Sequence, residues 1–197
     1  MKLVRFFLLF IISLSITTSC KKGGCTDYYA LNYDSEAKVD DYTCYYYWIG
    51  QNYQGGKIFY IDRSKKSGLI TAEFDLPNTR WGTHDSLTDE GINLTDVGRG
   101  LANSLIIAQA SGDNSAAAKC LALDTLGYDD WYLPSLEEMR GLSENLGRLG
   151  QSNLTPGYYW SSSQFSSTVA YLIMNANRSP AFFAKGSIFA VRPIRSF

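Results

Sequence analysis

The order of apolar and polar residues predicts a domain over residues 49–197 that begins with strands, continues through helices and returns to strands. Runs rich in β-branched and aromatic residues, bounded by turn-forming residues, predict strands at 57–62, 68–72, 131–133, 158–163, 169–174 and 188–192. The first two of these are expected to pair as a hairpin. Apolar residues at helical spacing predict helices around 101–108 and over 116–126. The fold class that follows is α+β.

A third helix is marked by the residues at its start. Ser135 precedes an apolar run and Glu138 stands three places later, which is the capping-box pattern. Pro134 ends the strand before it. The sequence therefore predicts a helix from this point through Leu146.

Residues 1–19 have the composition of an export signal. Lys2 and Arg5 precede an apolar stretch over residues 6–16. That stretch is far shorter than the roughly 20 residues that a membrane-spanning helix needs. We therefore expect a signal peptide that is removed from the mature protein.

The signal ends at Cys20 in a sequence that resembles a bacterial lipobox. Small residues precede Cys20, although Thr17 stands where a lipobox usually carries Leu. We expect acylation of Cys20 after cleavage, with residues 20–24 as a flexible lipidated tether. The alternative is a plain secretory signal cleaved near Ser19, which leaves Cys20 as a disulfide partner.

The other cysteines divide into a local pair and a single residue. If Cys20 carries lipid, Cys25 and Cys44 remain as neighbours, and the oxidising extracytoplasmic space permits a disulfide between them. Closing that loop contributes roughly 3 kcal/mol in the chain-entropy account. Cys120 lies in an apolar, Ala-rich run and is expected to be a buried, reduced helix residue.

Residues 25–44 resemble a short repeat of secreted Bacteroidetes proteins, Cys-Thr-Asp-x-x-Ala-x-Asn-Tyr-x-x-x-Ala-x-x-Asp-Asp-x-x-Cys. Five side chains in it offer the oxygen ligands that Ca²⁺ takes: Asp27, Asn32, Asp34, Asp40 and Asp41. Their spacing is not that of an EF-hand, so we favour turn-forming roles in a small spacer between membrane and domain. Calcium stays the alternative, and no other cofactor is predicted.

Charge and composition narrow the class of partner. The formal net charge is −1 over 197 residues, and the charged fraction is 19% against 14% aromatic residues. A nucleic-acid partner is therefore not expected, because the basic patch that such binding needs is missing.

Four separated motifs carry a family resemblance. They are Gly55-Gly56-Lys57-Ile58-Phe59-Tyr60, Gly127-Tyr128-Asp129-Asp130-Trp131-Tyr132-Leu133-Pro134-Ser135, Tyr159-Trp160-Ser161-Ser162-Ser163 and Val191-Arg192-Pro193-Ile194-Arg195. Together they resemble the C-terminal domain of the Legionella collagen-like protein family, which is grouped with the C-type lectin-like fold. The resemblance implies two small antiparallel sheets with flanking helices, termini close together, and a variable loop face used for binding.

The residues within these motifs look structural. Trp131 and Trp160 alternate with polar residues, as core-facing strand positions do. Arg192 and Arg195 are expected to tie the last strand to buried carbonyls or to Asp130.

No catalytic centre is predicted. His84 stands beside Asp85 and Ser86, but adjacent residues rarely point at a common atom, and no nucleophile elbow or metal-ligand cluster is present in the sequence. Formylglycine-generating relatives of the fold work through cysteines in the C-terminal part, and this chain has none after Cys120. An enzyme of that kind is the least favoured hypothesis.

The loop after Met174 is the predicted ligand site. Asn175, Asn177 and Arg178 offer polar groups there, and the fork of Arg178 suits an acidic glycan. An ordinary hairpin loop is the alternative, and the loop from Trp81 to Asp89 is the next candidate.

The sequence as a whole therefore predicts a non-catalytic binding or adhesion lipoprotein. We expect it to be anchored to the outer membrane by its N-terminal lipid, as a periplasmic or surface-exposed protein. Its expected ligand is a glycan or another envelope protein. The alternative is a purely structural envelope lipoprotein.

Overall fold

The computed structural model describes residues 21–83 and 94–197. Within these ranges the helices are α1 (Gly100–Ser111), α2 (Ala116–Leu121) and α3 (Leu136–Arg148). The strands are β1 (Gly23–Gly24), β2 (Val39–Asp40), β3 (Asn52–Tyr53), β4 (Gly56–Ile61), β5 (Gly68–Thr71), β6 (Leu76–Arg80), β7 (Tyr158–Gln164), β8 (Val169–Met174), β9 (Ser179–Ala184), β10 (Ile188–Val191) and β11 (Ile194–Ser196). None of these helices is long and apolar enough to cross a membrane.

The strands form three sheets. β1 and β2 make a small parallel pair near the N-terminus of the described chain. One larger sheet has the order β6-β10-β7-β8-β9 and the other has the order β11-β5-β4-β3. Neighbours within the two larger sheets are antiparallel except β10 and β7. The α+β fold class and the β4–β5 hairpin are confirmed.

The five-stranded sheet is covered on both faces, which explains why β7 is buried along nearly all its length. Trp160 belongs to a core that includes Ile107 of α1. Tyr159, its neighbour on β7, belongs to a second core that includes Met139 of α3 and Phe59 of the four-stranded sheet. Successive residues of a strand point to opposite faces, so β7 links the two cores.

The predicted capping box at α3 is confirmed. The Ser135 hydroxyl accepts a hydrogen bond from the Glu138 backbone N–H at 3.3 Å, and the Glu138 carboxylate accepts one from the Ser135 backbone N–H at 2.8 Å. The buried face of the helix, which includes Leu142 and Leu146, then packs between the two larger sheets.

Two predicted elements differ from the structure. The second helix ends at Leu121 and does not reach the predicted Leu126, which with Gly127 has a positive φ, 55° and 81°, that a right-handed helix does not contain. Residues 131–133 form no regular strand, since Tyr132 makes a single isolated bridge with Ile194.

The two longest strands that were not predicted each contain a proline. Pro77 lies in β6 and Pro180 lies in β9, and these are the two edge strands of the five-stranded sheet. An edge strand tolerates proline because the N–H that proline lacks would face outward.

The disulfide between Cys25 and Cys44 is present, and Cys120 is buried and free. Burial raises the pKa of the Cys120 thiol, which keeps it protonated. The segment expected to be a flexible tether is instead held by the module. The Lys22 carbonyl accepts a hydrogen bond from the Lys38 backbone N–H at 2.8 Å, and residues 23–24 form β1.

Candidate binding site

The loop between β8 and β9 is tied to the rest of the domain by Asn175. Its Oδ1 atom accepts a hydrogen bond from the Ser143 hydroxyl of α3 at 3.2 Å. Its Nδ2 atom donates to the carbonyls of Leu154 and Thr155 at 3.2 and 3.1 Å. Both polar atoms of the Asn175 amide are therefore occupied by internal hydrogen bonds.

The other two predicted ligand residues are arranged differently. The Asn177 Oδ1 atom accepts a hydrogen bond from the Ser179 backbone N–H at 3.1 Å, which closes the turn. Arg178 is half-buried against the end of α3, where a Cβ atom placed on Gly147 would lie 3.3 Å from its Nε atom. Across the described ranges the Arg178 guanidinium has no hydrogen-bond partner, so its whole fork is available to a ligand, whereas Asn177 offers only its amide nitrogen.

A second site is built from two tight turns. Gln54 and Gly55 connect β3 to β4, with φ values of 44° and 83°. Leu126 and Gly127, with φ values of 55° and 81°, form a turn whose flanking residues exchange two backbone hydrogen bonds of 3.0 Å. Two consecutive positive φ values in a two-residue connection are the mark of a type I′ turn.

Both turns carry a residue that the turn type disfavours. Asn or Gly is preferred at the first central position of a type I′ turn, because other side chains are strained there. This chain has Gln54 and Leu126 at those positions, and the Leu126 side chain is 70% exposed. A bulky, exposed leucine in a left-handed conformation violates local preference, and such violations concentrate at functional sites.

The two turns lie side by side. A Cβ atom on Gly55 would approach the Tyr128 ring to 2.9 Å and the Leu126 Cβ to 3.5 Å, so only glycine fits. They frame an open cleft of about 400 Å³, which we call the turn cleft. Its lining residues are Asn52, Tyr53, Gln54, Gly55, Gly56, Glu73, Phe74 and Leu126.

Arg195 braces the turn cleft from behind. Its Nε and one terminal nitrogen bind the Asp130 carboxylate at 2.6 and 2.9 Å. The other terminal nitrogen donates to the Gln54 carbonyl and side-chain oxygens at 3.3 and 3.1 Å. The guanidinium also stacks 4.0 Å from the centre of the Tyr128 ring. One side chain thus fixes both turns, and three of the four sequence motifs meet here.

The lining of the turn cleft combines apolar and polar groups. Phe74 and Leu126 are exposed apolar side chains. Glu73 is an exposed carboxylate. Lys57 donates to the Asn52 Oδ1 atom at 2.6 Å, which leaves the Asn52 amide nitrogen as a donor. A small number of polar groups on an apolar, preformed surface is typical of a ligand site.

Arg192, the other motif arginine, uses its guanidinium for hydrogen bonds inside the domain. Its side chain is fully buried and its Nε donates to Asp75 at 2.6 Å. Its terminal nitrogens donate to the carbonyls of Ala72, Ser152 and Asn153 at 3.1, 3.0 and 2.9 Å. Arg192 therefore joins three segments and offers nothing to a ligand.

The motif tryptophans also lie inside the domain. Trp131 and Trp160 are fully buried, and each indole N–H donates to a backbone carbonyl, at 3.1 and 3.0 Å. Pro134 is buried, and its carbonyl accepts from the Ser162 backbone N–H at 2.7 Å.

The calcium candidates of the module engage its own turns. Asp27 accepts from the Tyr29 backbone N–H at 2.8 Å and from the Tyr46 hydroxyl at 2.6 Å. These two hydrogen bonds, the tyrosine contact first, lower the pKa of Asp27. Similar contacts to backbone N–H groups are made by Asn32, Asp34, Asp40 and Asp41. Among the residues that the structure describes, no group of three His, Cys, Asp or Glu side chains is placed to hold a metal ion.

Some predicted residues lie outside the described residues: Cys20, His84, Asp85, Ser86 and the rest of the loop to Asp89. Trp81, at the start of that loop, is fully buried and donates to the Ser161 carbonyl at 2.7 Å.

Comparison of the chain with known protein families and with curated proteins finds no match. Its function therefore has to follow from its own residues. The sequence reasoning missed Glu73, Phe74 and Leu126 as ligand candidates. The one available signal was the Leu126-Gly127 dipeptide, in which leucine occupies the usual place of asparagine in a tight turn.

Proposed function

We propose that this chain is a lipid-anchored lipoprotein of the bacterial outer membrane whose C-type lectin-like domain binds a glycan in the turn cleft and catalyses no reaction. The observation that carries the proposal is the pair of strained turns braced by Arg195. Backbone strain of this kind costs free energy and persists where the surroundings hold it in place.

The envelope location is supported by the N-terminal sequence. Residues 1–19 read as an export signal and Cys20 follows a lipobox-like run of small residues. The disulfide between Cys25 and Cys44 suits an oxidising compartment. The C-type lectin-like fold is supported by the four sequence motifs and by the two covered sheets of an α+β domain.

The chemistry of the turn cleft favours a glycan. A sugar presents hydroxyl groups that can donate to the Glu73 carboxylate and accept from the Asn52 amide nitrogen. It also has an apolar C–H face that packs on Phe74 and Leu126. A hydrogen bond to a charged group contributes roughly 1.5–3 kcal/mol, and a rigid cleft loses little further entropy on binding.

A second candidate site is the loop at Arg178. Its guanidinium is free of partners across the described ranges, and a planar fork binds carboxylate or sulfate groups in two places at once. An acidic glycan is the ligand that this site would take, with Arg178 as its anchor and Asn177 beside it.

A glycan array tests the proposal and separates the two sites. The mature lipoprotein in detergent is applied with and without calcium, next to Phe74→Ala, Glu73→Gln and Arg178→Ala. For the turn cleft we expect binding to fall more than tenfold in the first two variants and to stay unchanged in the third. Leu149→Ala, which truncates an exposed apolar side chain that does not line the turn cleft, is the matched control for Phe74→Ala.

The remaining outcomes contradict the proposal that a glycan binds in the turn cleft. Loss of binding in Arg178→Ala alone moves the site to the β8–β9 loop. Binding that is indifferent to all three variants places the site elsewhere. No binding to any glycan favours an envelope-protein ligand or a purely structural lipoprotein.

A further inference from the structure

We infer that the module over residues 25–44 rests on the lipid headgroups and holds the protein against the membrane. The contacting surface, which we call the anchor edge, consists of Lys21, Lys38, Val39 and Tyr42. This inference rests on acylation of Cys20, which belongs to the proposed function.

The first argument is the length of free chain. The Lys22 carbonyl is hydrogen-bonded to the Lys38 backbone N–H at 2.8 Å, and the Lys22 ammonium pairs with Asp34 and Glu36 at 2.8 and 2.9 Å. The ordered module therefore begins two residues after Cys20. Two extended residues reach at most about 7 Å, whereas a free five-residue tether would reach about 17 Å. An acyl chain on Cys20 must then bring the module to the headgroups.

The second argument is what lies beside that attachment. Val39 pairs directly with Gly23 in the β1–β2 sheet and is 48% exposed. Tyr42, three residues further on, is 91% exposed and has a φ of 61°, which is unusual for a bulky residue. Amphipathic tyrosine is enriched where proteins meet the membrane–water interface, and an exposed apolar residue can be buried there.

The anchor edge carries two lysines that can reach phosphate groups, with two carboxylates beside them. Lys21 and Lys38 are exposed, and cations close to a bilayer surface are attracted to its phosphates. The neighbouring carboxylates, Asp40 and Asp41, are exposed as well, and each accepts a hydrogen bond within the module. Asp40 accepts from the Tyr42 backbone N–H at 2.9 Å and Asp41 accepts from the Thr43 backbone N–H at 3.0 Å.

Quenching of tryptophan fluorescence by brominated lipids tests the contact. Trp48 is 61% exposed and the other three tryptophans are fully buried, so Trp48→Phe removes the exposed background. In that background Val39→Trp places a probe on the anchor edge. Ile188→Trp places a matched exposed probe on β10 of the globular domain.

The mature lipoprotein is reconstituted in vesicles of phosphatidylethanolamine and phosphatidylglycerol that contain phosphatidylcholine brominated near the headgroup. We expect the Val39→Trp probe to be quenched at least twofold more than the Ile188→Trp probe. Insertion of ten Gly and Ser residues between Lys21 and Lys22 should abolish that difference. Equal quenching of the two probes in protein that floats with the vesicles overturns the contact but leaves the anchor intact. Protein that does not float with vesicles overturns the acylation and the contact together.

Discussion

The module and the globular domain are held together by different means. Within residues 25–44, Cys25 and Ala30 are the buried side chains, and a disulfide closes the segment. In the globular domain, by contrast, Arg192 and Arg195 are buried and join segments that are distant in sequence. A segment too short to own a core needs a covalent link, whereas a domain with two cores can hold buried charges in place.

Among the variants that test this comparison, removal of Arg192 should cause the largest loss of unfolding free energy. Arg192→Met leaves Asp75 and three carbonyls without their donor. Breaking a buried pair on one side costs about 3–5 kcal/mol. Urea unfolding of the domain should show a loss of this size, while Arg148→Met at an exposed position should change stability by less than about 0.5 kcal/mol. Equal losses in the two variants would show that Arg192 is not a brace.

Removal of the disulfide should affect the module alone. Replacing Cys25 and Cys44 by Ser takes away roughly 3 kcal/mol from a segment with almost no core. We expect fast hydrogen exchange across residues 25–44 and an unchanged unfolding midpoint for the globular domain.

The module touches the domain through cation–π contacts, in which Lys65 lies 5.0 Å from the Tyr29 ring and Lys66 lies 4.7 Å from the Tyr28 ring. Exposed contacts of this kind contribute about 0.5–1 kcal/mol each. If the domain loses as much stability as the module when the disulfide is removed, the two regions fold as one unit and the comparison fails.

Local signals explain which parts of the fold were predictable. The β-branched and aromatic runs of β4 and β5 and the capping box at Ser135 are patterns of neighbouring residues, and both predictions were confirmed. Strands β6 and β9 contain proline and depend on their place at the sheet edges, which neighbouring residues do not encode.

The turn cleft was beyond sequence reasoning for the same reason. Glu73, Gln54 and Leu126 come from three segments, and Arg195 joins the turns of the last two; no local pattern connects them. The loop at Asn175 was noticed because it is polar, but its polarity serves internal hydrogen bonds.

Asn175 and Asn177 of that loop differ in their hydrogen bonds: those of Asn175 tie the loop to other segments, whereas that of Asn177 lies within an exposed turn. Asn175→Ala leaves a hydroxyl and two carbonyls unpaired, which should cost about 1–3 kcal/mol. Asn177→Ala removes one exposed turn contact and should cost less than about 0.5 kcal/mol. Thermal unfolding of the two variants side by side measures the difference. If Asn177→Ala lost more stability than Asn175→Ala, the internal role of Asn175 would be contradicted and Asn175 would again be a candidate ligand contact.

Glu138 gives the globular domain a dependence on pH that is opposite in sign to the one expected from the lowered pKa of Asp27 in the module. Burial raises the pKa of this carboxyl above its ordinary value. A raised pKa in the folded state stabilises the fold below the unfolded pKa, near 4.3, and this contribution is lost as pH rises through the folded value. Glu138→Gln should therefore show a smaller decline in unfolding free energy from pH 4 to 8 than the wild-type chain. The same decline in both proteins would assign it to other groups.

The most direct test of the proposed function is Leu126→Asn, read for stability and for binding at once. Asparagine tolerates the left-handed turn, so the unfolding free energy should rise by about 1 kcal/mol. The apolar wall of the turn cleft is lost, so affinity for the glycan found on the array should fall more than tenfold. A variant that gains stability and binds as tightly as the wild-type chain would contradict the claim that the strained leucine is kept for the ligand.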